Sequence, residues 1–130
     1  MTVLAVFLGG ALGTMARLGA DLLAQAWGWG AGWSTLVVNV VGSFLLGLLV
    51  ARLPVSAPRW LRAGVGAGLL GGFTTFSALA FAVVIHATEG AWGLVAGQTA
   101  LNLILGIAAA MAGLALGPGR NRTPVVSEDE

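Results

Sequence analysis

Long apolar runs separated by short polar breaks organise this chain. No charged residue occurs from Met1 to Ala16, Leu22 to Ala51, Ala63 to Thr88 or Gly90 to Gly119. A hydrocarbon core takes about 20 apolar residues to cross, so each run has room for one membrane helix. The pattern predicts helices over about 3–24, 34–53, 60–88 and 92–116. Trp27, Trp29 and Trp33 mark the first connection and suit a membrane–water interface. Pro54, Pro58, Arg52, Arg59 and Arg62 make the second an aqueous loop, and Glu89 with Gly90 forms a short turn. Residues 1–118 read as one transmembrane domain, and 119–130 as a polar tail expected to be disordered. Gly and Ala fill the apolar runs, and no strand pattern competes.

Composition sharpens this picture. Only 8% of the 130 residues are charged, too few to cover the surface of a soluble domain. The absence of cysteine excludes a thiolate metal site. Met1 to Ala26 superficially resembles a signal peptide, but it lacks a basic start, and Arg17 and Asp21 interrupt its second half. It reads as a retained helix. Glycine recurs at a spacing of four in Gly9/Gly13, Gly68/Gly72 and Gly93/Gly97, which lets helices approach closely in lipid.

A few polar residues stand inside the apolar runs. Gly71-Gly72-Phe73-Thr74-Thr75-Phe76-Ser77 is poor material for a continuous helix, so the third helix is expected to break near its centre. Irregular backbone at that depth must be buried in protein or line a wet cavity. A packed glycine kink is the competing reading. Asn39 and Ser43 lie one turn apart on the second helix, and Gln98, Thr99 and Asn102 lie on the fourth. They line a pore or act as interhelical glue. Arg17 precedes Asp21 by about one turn, giving either an ion pair at the interface or a positive vestibule for anions.

Other signals carry little. Gly66, Gly68 and Gly71 match a dinucleotide fingerprint in letters, but no strand precedes them. His86, the only histidine, lies near a helix end. No Ser/His/Asp or paired-carboxylate set falls at one membrane depth, so the chain is read as no enzyme. Nothing points to nucleic acid.

Three motifs in order resemble one family. Gly9-Gly10-Ala-Leu-Gly13-Thr-Met-Ala-Arg17, Thr35-Leu-Val-Val-Asn39-Val-Val-Gly42-Ser43-Phe44-Leu-Leu-Gly47 and Gly71 to Ser77 are similar to the signatures of the Fluc, or CrcB, fluoride channels. The resemblance covers nearly all of the chain before the tail. It implies an antiparallel dimer of four-helix subunits with fluoride pores, exporting fluoride from the cytoplasm. It also implies a structural, non-transported sodium ion held by main-chain carbonyls, which fall on Gly71 and Thr74. Asn39, Ser43, Thr75, Phe76, Ser77 and Asn102 are then expected along the fluoride path, with Arg17 at the vestibule. Asn39 and Ser77 offer donors that could replace tightly held water, and the positive ring edge of Phe76 can meet an anion.

The chain departs from the family where Ala78 replaces a hydroxyl residue and Leu79 replaces a second ring. Those losses keep a non-conducting partner subunit among the readings. A small four-helix multidrug or solute exporter is the other alternative, opposed by the lack of a central carboxylate. Arg52, Arg59, Arg62, Arg120 and Arg122 fall on the side of the termini, and the opposite loops carry no Lys or Arg. Both termini are therefore expected in the cytoplasm of a multi-pass cell-membrane protein. So uneven a distribution disfavours dual insertion, which raises the expectation of an oppositely oriented paralogue as partner.

Overall fold

The computed structural model describes residues 1–54 and 56–117, and the expected tail over 119–130 lies outside them. The described residues are helical, with no strands. Helix α1 spans Thr2–Ala26 and α2 spans Ala31–Arg52. The third apolar span, Arg59–Thr88, contains α3 (Arg59–Ala63), a π-helical stretch (Gly64–Leu70), α4 (Gly71–Phe73) and α5 (Phe76–Thr88). Helix α6 spans Trp92–Ala115. Four helical spans among the described residues are long and apolar enough to cross a membrane.

Glycine ends two of these helices. Gly28 has φ +75° and Gly90 has φ +72°, a left-handed conformation that side chains resist. At the end of α1, the Gly28 and Trp29 amides donate to the Gln25 and Ala24 carbonyls; at the end of α5, the Gly90 and Ala91 amides donate to Ala87 and His86. Both are Schellman closures, which satisfy carbonyls that the helix leaves open. Trp33 lies in the first turns of α2, so the first connection is shorter than the tryptophan pattern suggested.

Two close seams hold the bundle. A Cβ on Gly9 would run into the Gly64 carbonyl, and one on Gly13 would run into the Leu69 carbonyl. Gly68 and Gly72 present the same closeness toward Val6 and Gly10. Contact positions rise together along both chains, so α1 lies parallel to the third span. This is small-residue packing, in which dispersion between near-touching backbones replaces the hydrophobic drive absent in lipid. The π-helical stretch lies within this seam; its wider turn is visible where the Gly71 amide donates to Gly66, five residues back.

The second seam joins α2 to α6. Gly47 closes on Ala110, Gly113 on Phe44 and Gly117 on Ala51, again in parallel register. Arg52 Nη2 donates to the Leu116 carbonyl at 3.4 Å, tying the two C-terminal ends together. Spans one and three therefore run one way, and two and four the other. The start of α1, the end of α2, Arg59 at the start of α3 and the end of α6 share one end of the bundle. Gly93 and Gly97, spaced like the packed pairs, meet nothing within 4 Å. They line a cavity facing Trp33 and Leu36 of α2 and close on no backbone among the described residues, so spacing alone did not define a seam there.

Candidate ion pathway

Between α2, the third span and α6 lies an open groove of about 330 Å³. Asn39, Ser43, Gly71, Thr74, Thr75, Phe76 and Asn102 all line it. The fold thus brings together residues from three separate stretches of sequence. Ser77 does not line the groove but stands beside it, with its Oγ 3.1 Å from Thr75 Oγ1. Arg17 lies apart, on a helix that contributes nothing to the groove wall.

The backbone explains why the site forms where it does. Thr74 has ψ 157° and Thr75 has φ −147° and ψ 117°, extended values between the helical residues of α4 and α5. In a continuous α-helix, the Thr75 amide would donate to the Gly71 carbonyl and the Ala78 amide to the Thr74 carbonyl. Here the Thr75 amide donates to Asn39 Oδ1 at 2.8 Å, and the Ala78 amide to Thr75 Oγ1 at 3.1 Å. Thr75 thereby caps α5, a role suited to a hydroxyl side chain. The carbonyls of Gly71 and Thr74 lose their helical donors as a result. Thr74 closes the preceding turn, its amide and its Oγ1 both donating to the Leu70 carbonyl at 2.9 Å.

Asn39 binds both main-chain polar groups of one residue, Thr75. Its Nδ2 donates to the Thr75 carbonyl at 3.0 Å while its Oδ1 accepts from the Thr75 amide. This pairing fixes which end of the side-chain amide is nitrogen, because only oxygen can face an N–H. The remaining Nδ2 proton goes to Asn102 Oδ1 at 3.1 Å. Asn102, buried at 8% exposure, in turn donates from Nδ2 to the Gln98 carbonyl at 3.0 Å.

Two residues of the first turn of α5 face opposite environments. Phe76 is 77% exposed, whereas Leu79 is buried at 6% and forms part of the groove wall. Gly71 and Ser77 are exposed as well. The ring, the hydroxyl and the Gly71 position thus lie on a face that this subunit leaves uncovered.

At the far end of α1, Arg17 and Asp21 do not form the ion pair that their spacing allows. Asp21 accepts instead from Ser34 Oγ across the first connection, and Arg17 Nε is buried without a hydrogen-bond partner. Ser34 was not legible as a partner, because a serine near a helix start ordinarily reads as a cap. The contact joins residues 13 apart across the hairpin, a distance that carries no local signal. Gln98 packs its side-chain amide against Gly32, where a Cβ would collide with it, and leaves its Oε1 buried and unpartnered.

Four apolar spans, three of which line a groove that carries polar side chains, define a multi-pass membrane protein with hydrogen-bonding groups held at depth. Such groups are kept in membranes where they serve a pathway or a partner. Comparison with known proteins is more specific. The chain belongs to the CrcB family: the model for the CrcB-like protein, Camphor Resistance (CrcB), matches residues 4–114. A Mycobacterium bovis protein named fluoride-specific ion channel FluC 1 is 42% identical over 113 residues, covering 81% of each chain. The Bordetella petrii fluoride-specific ion channel FluC is 40% identical over 119 residues, covering 88% of this chain and 90% of its own. The Paracoccus denitrificans protein of the same name is 40% identical over 118 residues, covering 91% and 95%.

Proposed function

We propose that this chain is a subunit of a fluoride-selective channel that carries fluoride out of the cytoplasm. The observation that carries the reading is the groove in which Asn39, Thr75 and Asn102 bond to one another beside Phe76 and Ser77. Small, tightly hydrated fluoride needs replacement donors, and the described residues of this wall offer hydroxyls and a ring edge without a fixed cation. A conducting site must also release its ion, and neutral donors favour release. The names of the relatives support the same ion. An exporter working by proton exchange would need a carboxylate in the groove, and none lines it among the described residues.

The working unit is proposed to be an antiparallel dimer. The exposure of Phe76 and Gly71 supports it, since a ring and a freed carbonyl beside an open groove suit a face that a second subunit covers. The interruption at Thr74 and Thr75 serves as the broken helix of the third span. The Gly71 and Thr74 carbonyls, deprived of helical donors, fit a hard cation that takes oxygen ligands. A structural sodium held there would supply positive charge to backbone oxygens at the dimer axis. Arg17 is assigned to the anion-attracting vestibule.

Purified protein reconstituted in liposomes should release fluoride and retain chloride, with weaker assembly or flux when a large organic cation replaces sodium. Chloride release at the fluoride rate would sink the channel reading. Flux indifferent to the cation would remove Gly71 and Thr74 from the site. With the Arg52–Arg62 side inward, both termini face the cytoplasm, and an inverted paralogue completes the dimer. A reporter fused after Glu130 should be active only in its cytoplasmic form; equal signals on both sides would favour a homodimer of dually inserted chains.

A further inference from the structure

Asn102 was expected to line the fluoride path, yet its polar atoms are already engaged. Its Oδ1 accepts from Asn39 Nδ2 and its Nδ2 donates to the Gln98 carbonyl one turn earlier on α6. It is buried at 8%, whereas Phe76 and Ser77 stand exposed. Asn39 donates both of its amide protons and accepts one bond, with two of the three going to Thr75. We infer that Asn102 is a positioning residue, which fixes the Asn39 amide so that Asn39 clamps the non-helical peptide of Thr75. The inference rests on the channel reading for its functional meaning and on the hydrogen-bond geometry for its substance.

The physical case is one of alternatives denied. A side-chain amide can turn about its last torsion and exchange oxygen for nitrogen. Turned that way, Asn39 would set its nitrogen against the Thr75 amide and its oxygen against the Thr75 carbonyl, breaking both bonds. Asn102 adds a third bond that only the productive orientation satisfies, because its own Nδ2 is committed to the Gln98 carbonyl. In a low-dielectric interior such linked bonds reinforce one another, and an unpaired member is costly. The clamped peptide carries the Thr75 side chain, whose Oγ1 both caps α5 and meets Ser77 Oγ. Asn102 therefore acts on the hydroxyl pair beside the groove from a different helix, without touching it.

The test is amide hydrogen exchange on the full-length protein in lipid nanodiscs, read by NMR. The parent Thr75 amide should be protected although its residue lies outside any helix. Asn102→Leu keeps the buried volume but offers no acceptor, and Thr75 should then exchange at least about tenfold faster. The Gly68 amide, in the seam with α1, should not change. Asn102→Asp keeps an acceptor for Asn39 Nδ2 while losing the donor to the Gln98 carbonyl, and should recover part of the Thr75 protection. Fluoride flux through Asn102→Leu should fall at least about tenfold, in step with the lost protection. If Asn102→Leu does not assemble, Asn102→Ala provides the same comparison. Unchanged Thr75 exchange in the apolar variant, no recovery in Asn102→Asp, or full flux despite a loosened Thr75 would overturn the inference. A parent protein that carried no fluoride would overturn the channel reading and leave the exchange result intact.

Discussion

The third span has two unlike sides. Against α1 it is closed, with Gly9, Gly13, Gly68 and Gly72 bringing backbones close enough that no Cβ would fit. Against α2 and α6 it leaves a groove, where the hydrogen bonds of Asn39 to Thr75 join the packing of Gly42 on Thr74 Cγ2. One side is held by shape alone and the other by polar pairing as well. In lipid, shape alone gives a rigid seam, while polar pairing leaves the backbone free to depart from the helix where a side chain can replace its missing bonds. The closed side thus anchors the π-helical stretch and α4, and the open side receives the extended residues that follow.

The largest expected effect comes from breaking the closed side. Gly13→Val would drive a side chain into the Leu69 carbonyl and the Phe73 amide, which are backbone and cannot step aside. Overpacking of this kind costs about 1–3 kcal/mol or more. Loss of the monodisperse species in size-exclusion chromatography is expected, and a variant eluting and conducting like the parent would show that the seam is looser than described.

Breaking the open side should spare assembly and abolish transport. Asn39→Asp removes both donated bonds and sets carboxylate oxygens against the Thr75 carbonyl and Asn102 Oδ1. Each buried group left unsatisfied costs about 1–3 kcal/mol, so fluoride flux should fall by roughly a hundredfold or more. The added negative charge on an anion path acts in the same direction, poorly screened at this depth. Parent-like flux in liposomes would place Asn39 in a packing role.

The smallest effect should appear where a glycine pair closes on no backbone among the described residues. Gly97→Ala meets open space, and replacing glycine inside a helix gains about 0.8–1.0 kcal/mol. A slight rise in thermal stability with unchanged flux is expected. A clear loss would mean that a partner subunit packs on the Gly93–Gly97 face of α6.

Much was legible before any coordinates. Uncharged run lengths predicted the four spans, since crossing a membrane is a matter of length and apolarity. The Gly-Gly-Phe-Thr-Thr-Phe-Ser stretch drew notice because paired glycines and hydroxyls suit a helix poorly. Six of the groove residues stand in the motifs and Asn102 among the polar residues of the fourth helix, and the fold gathers all seven around one opening. Illegible were the partners. Helical spacing allowed Asp21 to pair with Arg17, but it turns to Ser34, and Arg17 is left with an unpaired Nε. Gly93 and Gly97 share the spacing of the packed pairs and still lie open.

What the sequence by itself determined about this protein is its membrane character, the number and approximate placement of its spans, and its family. Those properties follow from residue type and order along one chain. The tertiary structure alone decided that Asn39 spends its amide on the Thr75 backbone, that Asn102 completes it from a distant helix, and that Phe76 stands exposed while Leu79 is buried. A hydrogen bond depends on the angle and distance between groups, 36 residues apart for Asn39 and Thr75 and 63 for Asn39 and Asn102. Helical period places a side chain on a face, but only the packing of one helix on another determines what that face meets.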